Sequence, residues 1–114
     1  MCSSSGEKRR FPRYLVEASF TVYVQQPQGT ALLRGRTCNL GEGGLGAAID
    51  GELTPEEFVS LRVSLPQCTL IFQPNAQVRY RNGSVHGFEF VNLSPLQLAA
   101  VRSCCRRLAA SHPE

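Results

Sequence analysis

From Tyr14 to Val24 the chain alternates without a break. Tyr14, Val16, Ala18, Phe20, Val22 and Val24 fall on one face, and Leu15, Glu17, Ser19, Thr21 and Tyr23 on the other. A period of two over eleven residues suits a half-buried antiparallel strand and conflicts with a helix, whose apolar stripe recurs every three to four residues. The period returns downstream. Val59, Leu61, Val63 and Leu65 alternate with Ser60, Arg62 and Ser64 up to Pro66, and Phe88 and Phe90 share one face of His86 to Val91. Thr30 to Cys38, Leu45 to Ile49 and Cys68 to Arg81 complete the extended segments, with Pro74 as a point of interruption in the last. Gln26-Pro27-Gln28-Gly29 and Arg81-Asn82-Gly83-Ser84 read as hairpin turns, the second as type I′ with Asn-Gly at its centre. Thr54-Pro55-Glu56-Glu57 reads as a capped helical turn or a loop.

Only the last element changes period. Ser94 suits an N-cap and Pro95 the first helical position, after which Leu98, Val101, Cys105 and Leu108 recur at helical spacing. Arg102, Arg106 and Arg107 fill much of the remaining surface, and basic residues late in a helix suit its dipole. Many short strands followed by one helix fit an antiparallel barrel closed on one side by that helix, because closure removes exposed edges.

With 114 residues the chain has room for one hydrophobic core. No run approaches the roughly 18 apolar residues of a membrane span, and residues 1–6 lack the apolar centre of a signal peptide, so the expected location is cytoplasmic. The five cysteines show neither a regular disulfide spacing nor a zinc pattern, and no metal or cofactor is expected. Cys104 and Cys105 read either as helix packing or as a redox-active or soft-metal pair. Asp50 is the only aspartate, no carboxylates pair for acid–base work, and no serine or cysteine has a nucleophile setting. His86 reads as structural. The chain is not expected to be an enzyme.

Charge is concentrated rather than abundant. The net charge is +3, and Glu7 with the run Lys8-Arg9-Arg10-Phe11-Pro12-Arg13 supplies as much by itself. Pro12 biases Phe11 toward extended geometry, so the run is an arm entering the first strand. Guanidinium groups fork onto phosphate oxygens and stack on bases. The other reading of the arm is a solvated basic terminus with nonspecific affinity for nucleic acid. After the second strand comes Asn39-Leu40-Gly41-Glu42-Gly43-Gly44. Asn39 offers a donor and an acceptor to a base edge, while the glycines admit positive φ, close backbone approach and a concave anion nest. A tight turn with no ligand is the alternative for the loop taken alone.

Taken together and in this order, the two segments resemble the site of the PilZ domain family. That family reads Arg-x-x-x-Arg and then Asp/Asn-x-Ser-x-x-Gly; here Arg9 and Arg13 fill the first motif, and Asn39 and Gly44 anchor the second. Gly41 stands where the family has serine. Val85-His86-Gly87-Phe88-Glu89-Phe90-Val91-Asn92-Leu93-Ser94-Pro95 resembles the family's closing strand and helix start. The resemblance implies a mainly β fold, a six-stranded antiparallel barrel with a C-terminal helix. It covers residues 7–110 as one domain between tails at 1–6 and 111–114. It implies a receptor for cyclic di-GMP. Arg9 and Arg13 would bind phosphates and stack on guanine, Asn39 would contact a guanine edge, and Gly41 and Gly44 would shape the loop. Lys8 and Arg10 would be auxiliary cations, Lys8 at the place that favours a second stacked ligand. The ligand would order the arm, and an effector protein would read the change. The alternative is a nucleotide-independent adaptor acting through the barrel surface or the helix; no specific nucleic-acid binding is expected.

Overall fold

The computed structural model describes residues 12–64 and 71–111. Lys8, Arg9 and Arg10 lie outside them, as does Pro66. Seven strands precede one helix: β1 (Tyr14–Gln26), β2 (Gly29–Leu40), β3 (Gly44–Ile49), β4 (Phe58–Ser64), β5 (Ile71–Phe72), β6 (Asn75–Asn82), β7 (Val85–Val91) and α1 (Pro95–Ser111). All the pairings are antiparallel, in the order β1-β2-β3-β7-β6-β4. Tyr23↔Ser60 to Phe20↔Val63 pair β4 back onto β1, which closes a six-stranded barrel. The expected fold is the observed one.

The extended segment expected through Pro74 is two pieces, β5 and β6, both against β4. Pro74 has no N–H to give a ladder, yet it is fully buried and its carbonyl accepts the Leu61 N–H at 2.9 Å. One local expectation is corrected, and one open alternative is decided. The β6–β7 turn has Gly83 and Ser84 at its centre, between paired Asn82 and Val85, and of these only Gly83 has positive φ (66°). Glycine in the first central position is the type II′ pattern, not I′. The segment at Thr54 is a turn rather than a helix, with Glu56 at φ 78° and the Thr54 N–H bonded to the Glu57 carboxylate at 3.1 Å. In addition, Cys38 is disulfide-bonded, which the cysteine spacing did not anticipate.

Alternation places the core as read. Val16, Ala18, Phe20, Val22 and Val24 of β1 meet Leu45, Ala47, Leu61, Val63, Val78 and Phe88 inside the barrel. Phe20 and Phe88 tilt together with centroids 5.5 Å apart, and Phe72 and Phe90 meet edge-on at 5.2 Å. Helix α1 adds Val101, Cys104, Cys105 and Leu108. It opens with a capping box: the Gln97 N–H donates to Ser94 Oγ at 3.1 Å and the Ser94 N–H donates to Gln97 Oε1 at 3.0 Å. The helix runs to Ser111, so Arg106 and Arg107 stand short of its last turn and the expected dipole contribution is small.

His86 is enclosed in this core and neutral. Its Nδ1 lies 3.0 Å from the Ser84 carbonyl oxygen and so carries the proton, while Nε2 accepts the Leu53 N–H at 3.1 Å. Desolvation lowers its pKa; the Ser84 carbonyl opposes that shift, Arg81 adds to it and Glu52 opposes it. An unfolded histidine titrates at about 6.5. Between that value and the lowered native one, the unfolded chain binds the extra proton, so stability is full above about pH 6.5 and falls as the pH drops. Urea unfolding at pH 7.5 and 5.5 should show this loss, and His86→Asn should flatten it. An equal pH slope in the variant would remove His86 as its source.

Candidate functional site

Two β-bulges build the candidate site. Along β2, Thr37 pairs with Ala47 and Asn39 with Gly46, so two residues of β2 span one step of β3 and Cys38 is the extra residue. Thr37 and Leu40 are buried beside Ala47 and Leu45, so the bulge turns Asn39 to the outer face of the sheet, where it is still only 4% exposed. Along β6 the same happens between Val78↔Phe88 and Tyr80↔Gly87, with Arg79 as the extra residue. Uninterrupted alternation would send Tyr80 inward with Val78; the bulge sends it out.

The result is one row across five strands on the barrel's outer face: Leu15, Asn39, Gly46, Gly87 and Tyr80, each paired with the next. Four interstrand steps make it about 19 Å wide. Its two glycines lie under the neighbouring side chains. A Cβ on Gly46 would sit 3.1 Å from Asn39 Nδ2, and one on Gly87 would overlap the Tyr80 ring. Leu15, 74% exposed, closes one end. At the other, the Tyr80 hydroxyl oxygen is buried and has no hydrogen-bond partner among the described residues.

The two sequence segments meet at this row. Arg13, at the entrance to β1, donates from Nη1 to Asn39 Oδ1 at 2.7 Å, and the Gly46 N–H donates to the same oxygen at 3.1 Å. Gly41 makes the approach possible. A Cβ there would lie 2.7 Å from the Pro12 carbonyl oxygen and 2.9 Å from Arg13 Cδ, so a side chain at 41 and the present Arg13 path exclude each other. Of the properties expected of these glycines, positive φ is absent at Gly41 and Gly44 and occurs, among the described glycines, at Gly29, Gly51 and Gly83. Gly41 and Gly44 serve close approach. Gly44 begins β3, paired with Glu89, and a Cβ would collide with the Phe88 carbonyl. The loop is short, with the Gly41 N–H bonded to the Gly44 carbonyl at 2.9 Å and the Gly43 carbonyl accepting the Phe90 N–H at 2.9 Å. Glu42 reaches the helix, accepting from Arg102 Nε at 3.0 Å.

Of the residues singled out in the sequence, Arg13, Asn39, Gly41 and Gly44 come together at one end of the β1–β2 hairpin. Lys8, Arg9 and Arg10 fall outside the described residues. Tyr80 and the Glu42–Arg102 contact went unread. Tyr80 had a signal, its place seven residues before Gly87 across a hairpin, but the register became visible only with the bulge. No group of three or more metal-ligating side chains occurs among the described residues.

This arrangement matches a known family. A family model described as the PilZ domain matches residues 7–107, and the chain belongs to that family. Among solved structures it is similar to the PilZ domain of YcgR from Escherichia coli with cyclic di-GMP, at 21% identity and a TM-score of 0.70, covering 92% of this chain and 94% of that one. It is similar to the inhibitor of motility MotI/DgrA of Bacillus subtilis at 19% identity and TM-score 0.69, covering 94% of this chain and 54% of that one. A crystal structure of E. coli YcgR in complex with cyclic di-GMP gives 22% identity and TM-score 0.71 over 92% and 47%. The chain thus spans about half the length of the last two. At these identities the likeness establishes the fold. No curated protein sequence matches the chain.

The unsatisfied hydroxyl gives a direct test of the row. A buried polar group without a partner costs about 1–3 kcal/mol. Tyr80→Phe should therefore raise the stability of the ligand-free protein, by about 1 kcal/mol in urea unfolding. A loss of stability instead would mean the hydroxyl is bonded in solution.

Proposed function

We propose that this chain is a cyclic di-GMP receptor that reports occupancy to a partner protein. The observation that carries the reading is the 2.7 Å contact between Arg13 and Asn39, which joins the halves of the family's ligand motif at one end of the hairpin. Arg13 supplies a forked cation for phosphate, and with Arg9 and the auxiliary cations Lys8 and Arg10 it matches a ligand carrying two phosphates. Asn39 presents an amide to a guanine edge. Asn39 and the Tyr80 ring cover the Gly46–Gly87 floor, so a flat purine would meet these two side chains, the amide of one and the ring of the other, rather than the backbone. The PilZ domain of YcgR, similar in fold, is described with cyclic di-GMP, which supports the choice of ligand.

In the ligand-free protein Arg13 and Asn39 engage each other, so the nucleotide has to displace or share that bond. Gly41 contributes space in place of the family's serine hydroxyl. A side chain at 41 would loosen the Arg13–Asn39 contact, and a hydroxyl there would add a donor and acceptor worth about 0.5–1.5 kcal/mol, or roughly two- to tenfold in affinity. PilZ domains are a binding and adaptor family, and the residues of the row need no chemistry of their own to serve it. Output to a partner fits a domain whose site includes an arm, since ordering residues 7–13 alters the surface at that barrel end.

Calorimetric titration with cyclic di-GMP, with GMP and cyclic di-AMP as controls, tests the reading. Selective saturable binding is expected. Arg13→Ala should abolish it, Gly41→Ser should tighten it roughly two- to tenfold, and Tyr80→Ala should weaken it by about tenfold, the scale of one lost base–aromatic stack. Undiminished affinity in Arg13→Ala would exclude the site. Absence of heat, with an unchanged amide spectrum, would identify a nucleotide-independent adaptor.

A further inference from the structure

A second outer face lies farther along the same hairpin. Thr21 of β1 pairs with Arg34 of β2 on one side and Arg62 of β4 on the other, and all three point outward because Phe20 and Val22 point in. The two arginines are about 10 Å apart at Cα, twice the interstrand spacing. Neither side chain makes a hydrogen bond or ion pair among the described residues. Arg36, on the same face beyond Arg34, approaches Glu17 only at 3.9 Å, with both side chains well exposed. The adjoining row is apolar: Leu32 pairs with Tyr23 and Tyr23 with Ser60, and Phe58 projects two residues from Ser60 on the same face of β4. Leu32 is 47% and Phe58 65% exposed. An apolar row therefore runs beside a cationic one, on a hydrogen-bonded wall of the barrel.

We infer that this face is a docking surface for an acidic protein segment with interleaved apolar side chains. Arginine and aromatic residues are the types that interfaces concentrate, with lysine depleted, and this face has no lysine. Unpaired guanidinium groups on a rigid sheet favour bidentate carboxylate contacts, and Leu32, Tyr23 and Phe58 supply the apolar component. A second copy of the chain is disfavoured, since a face-to-face dimer sets Arg34 and Arg62 against their own kind. A membrane is disfavoured as well, because three cations without a lipid anchor give marginal surface attraction. The inference takes up the partner half of the proposed function and does not need the nucleotide half. Thr21 lies eight residues along β1 from Arg13, about 26 Å at strand rise, so the two faces can be perturbed separately.

The test is an amide-resolved titration of the full chain with a twelve-residue peptide alternating Asp or Glu with Leu or Phe, run with and without saturating cyclic di-GMP. A Lys-for-acid version of the peptide, a dodecameric single-stranded oligonucleotide, and vesicles of phosphatidylglycerol and phosphatidylcholine are the comparisons. Saturable shifts at Thr21, Tyr23, Arg34 and Arg62 with the acidic peptide are expected. Arg34→Glu with Arg62→Glu should weaken that binding at least tenfold while leaving the thermal midpoint and any shifts at Arg13 and Asn39 unchanged. Phe58→Ser should weaken it by a smaller factor. Absence of shifts at this face, tighter binding there of the oligonucleotide or vesicles, or full peptide affinity in the double reversal would each overturn the inference. A failure of nucleotide binding would show instead as silence at Arg13 and Asn39, and leaves this measurement intact.

Discussion

The candidate site depends on two extra residues. Were β2 and β6 regular, Asn39 and Tyr80 would both face the core, where an amide and a phenol would have to find partners among Val, Leu and Phe. One bulge at Cys38 and one at Arg79 reverse the parity of the strand that follows. Each reversal has a packing consequence as well as a functional one. The β2 bulge turns Leu40 inward to pair with Leu45, both fully buried. The bulge in β6 leaves Val78 inside against Phe88 and brings Tyr80 over Gly87. The core and the site are thus set by these two bulges together with the β1–β2 register shift between Leu15 and Ala18. Neither bulge can be removed without sacrificing both.

Much of this was legible in the sequence, and the rest was hidden for a definite reason. Alternation in β1, β4 and β7 gave the faces correctly because each of those strands keeps one parity across its core residues. Ser94, Pro95 and the spacing of Val101, Cys105 and Leu108 gave the helix, since a cap and a 3.6 period leave marks in the residue types. Asn39 and Gly44 were visible as a motif, and Arg13 as the end of the arm. A bulge leaves no such mark. Cys38 and Arg79 are ordinary strand residues, and the alternation around them looks uninterrupted until the partner strand is known. That is why Tyr80 was not singled out. Of the properties read for the glycines, close backbone approach is found and positive φ is not. Gly41 and Gly44 have ordinary negative φ, and what matters is the atom a side chain would strike: Arg13 Cδ for one and a β7 carbonyl for the other.

Gly41 also sets the resting state of the site. With no Cβ in the way, Arg13 packs over the loop and donates to Asn39, so a cation and an amide that a nucleotide would use are already satisfied. A charge-assisted hydrogen bond of this kind contributes about 1.5–3 kcal/mol when formed in the protein. Ligand contacts have to exceed it, less whatever part of the bond survives in the complex. On the proposed reading glycine at 41 acts twice, once through the missing hydroxyl at position 41 and once through the self-contact it permits at Asn39 Oδ1.

How occupancy reaches a partner is constrained by the barrel itself. Six strands closed in a ring cannot slide by a fraction of a residue pair, and a one-residue slip would turn every core side chain outward. The strands are consequently a fixed frame. Among the described residues, movement is left to the Gly41–Gly43 loop and the elements tied to it. Among the described residues the loop has one side-chain tie to the helix, Glu42 to Arg102 at 3.0 Å, and both partners are partly exposed. Pairs of that exposure contribute up to about 1 kcal/mol. Coupling through this contact alone is then limited to roughly fivefold between the occupied and empty states. A larger response would have to come from the arm, whose ordering adds or hides surface directly rather than by shifting a packed element. On the proposed reading sensing falls to residues around Asn39, while the Arg34–Thr21–Arg62 face stays a constant feature of the frame. A partner held on that constant face would meet the arm only at the far end of the hairpin, so the length of the partner, and not a change of barrel shape, would decide whether it senses the nucleotide.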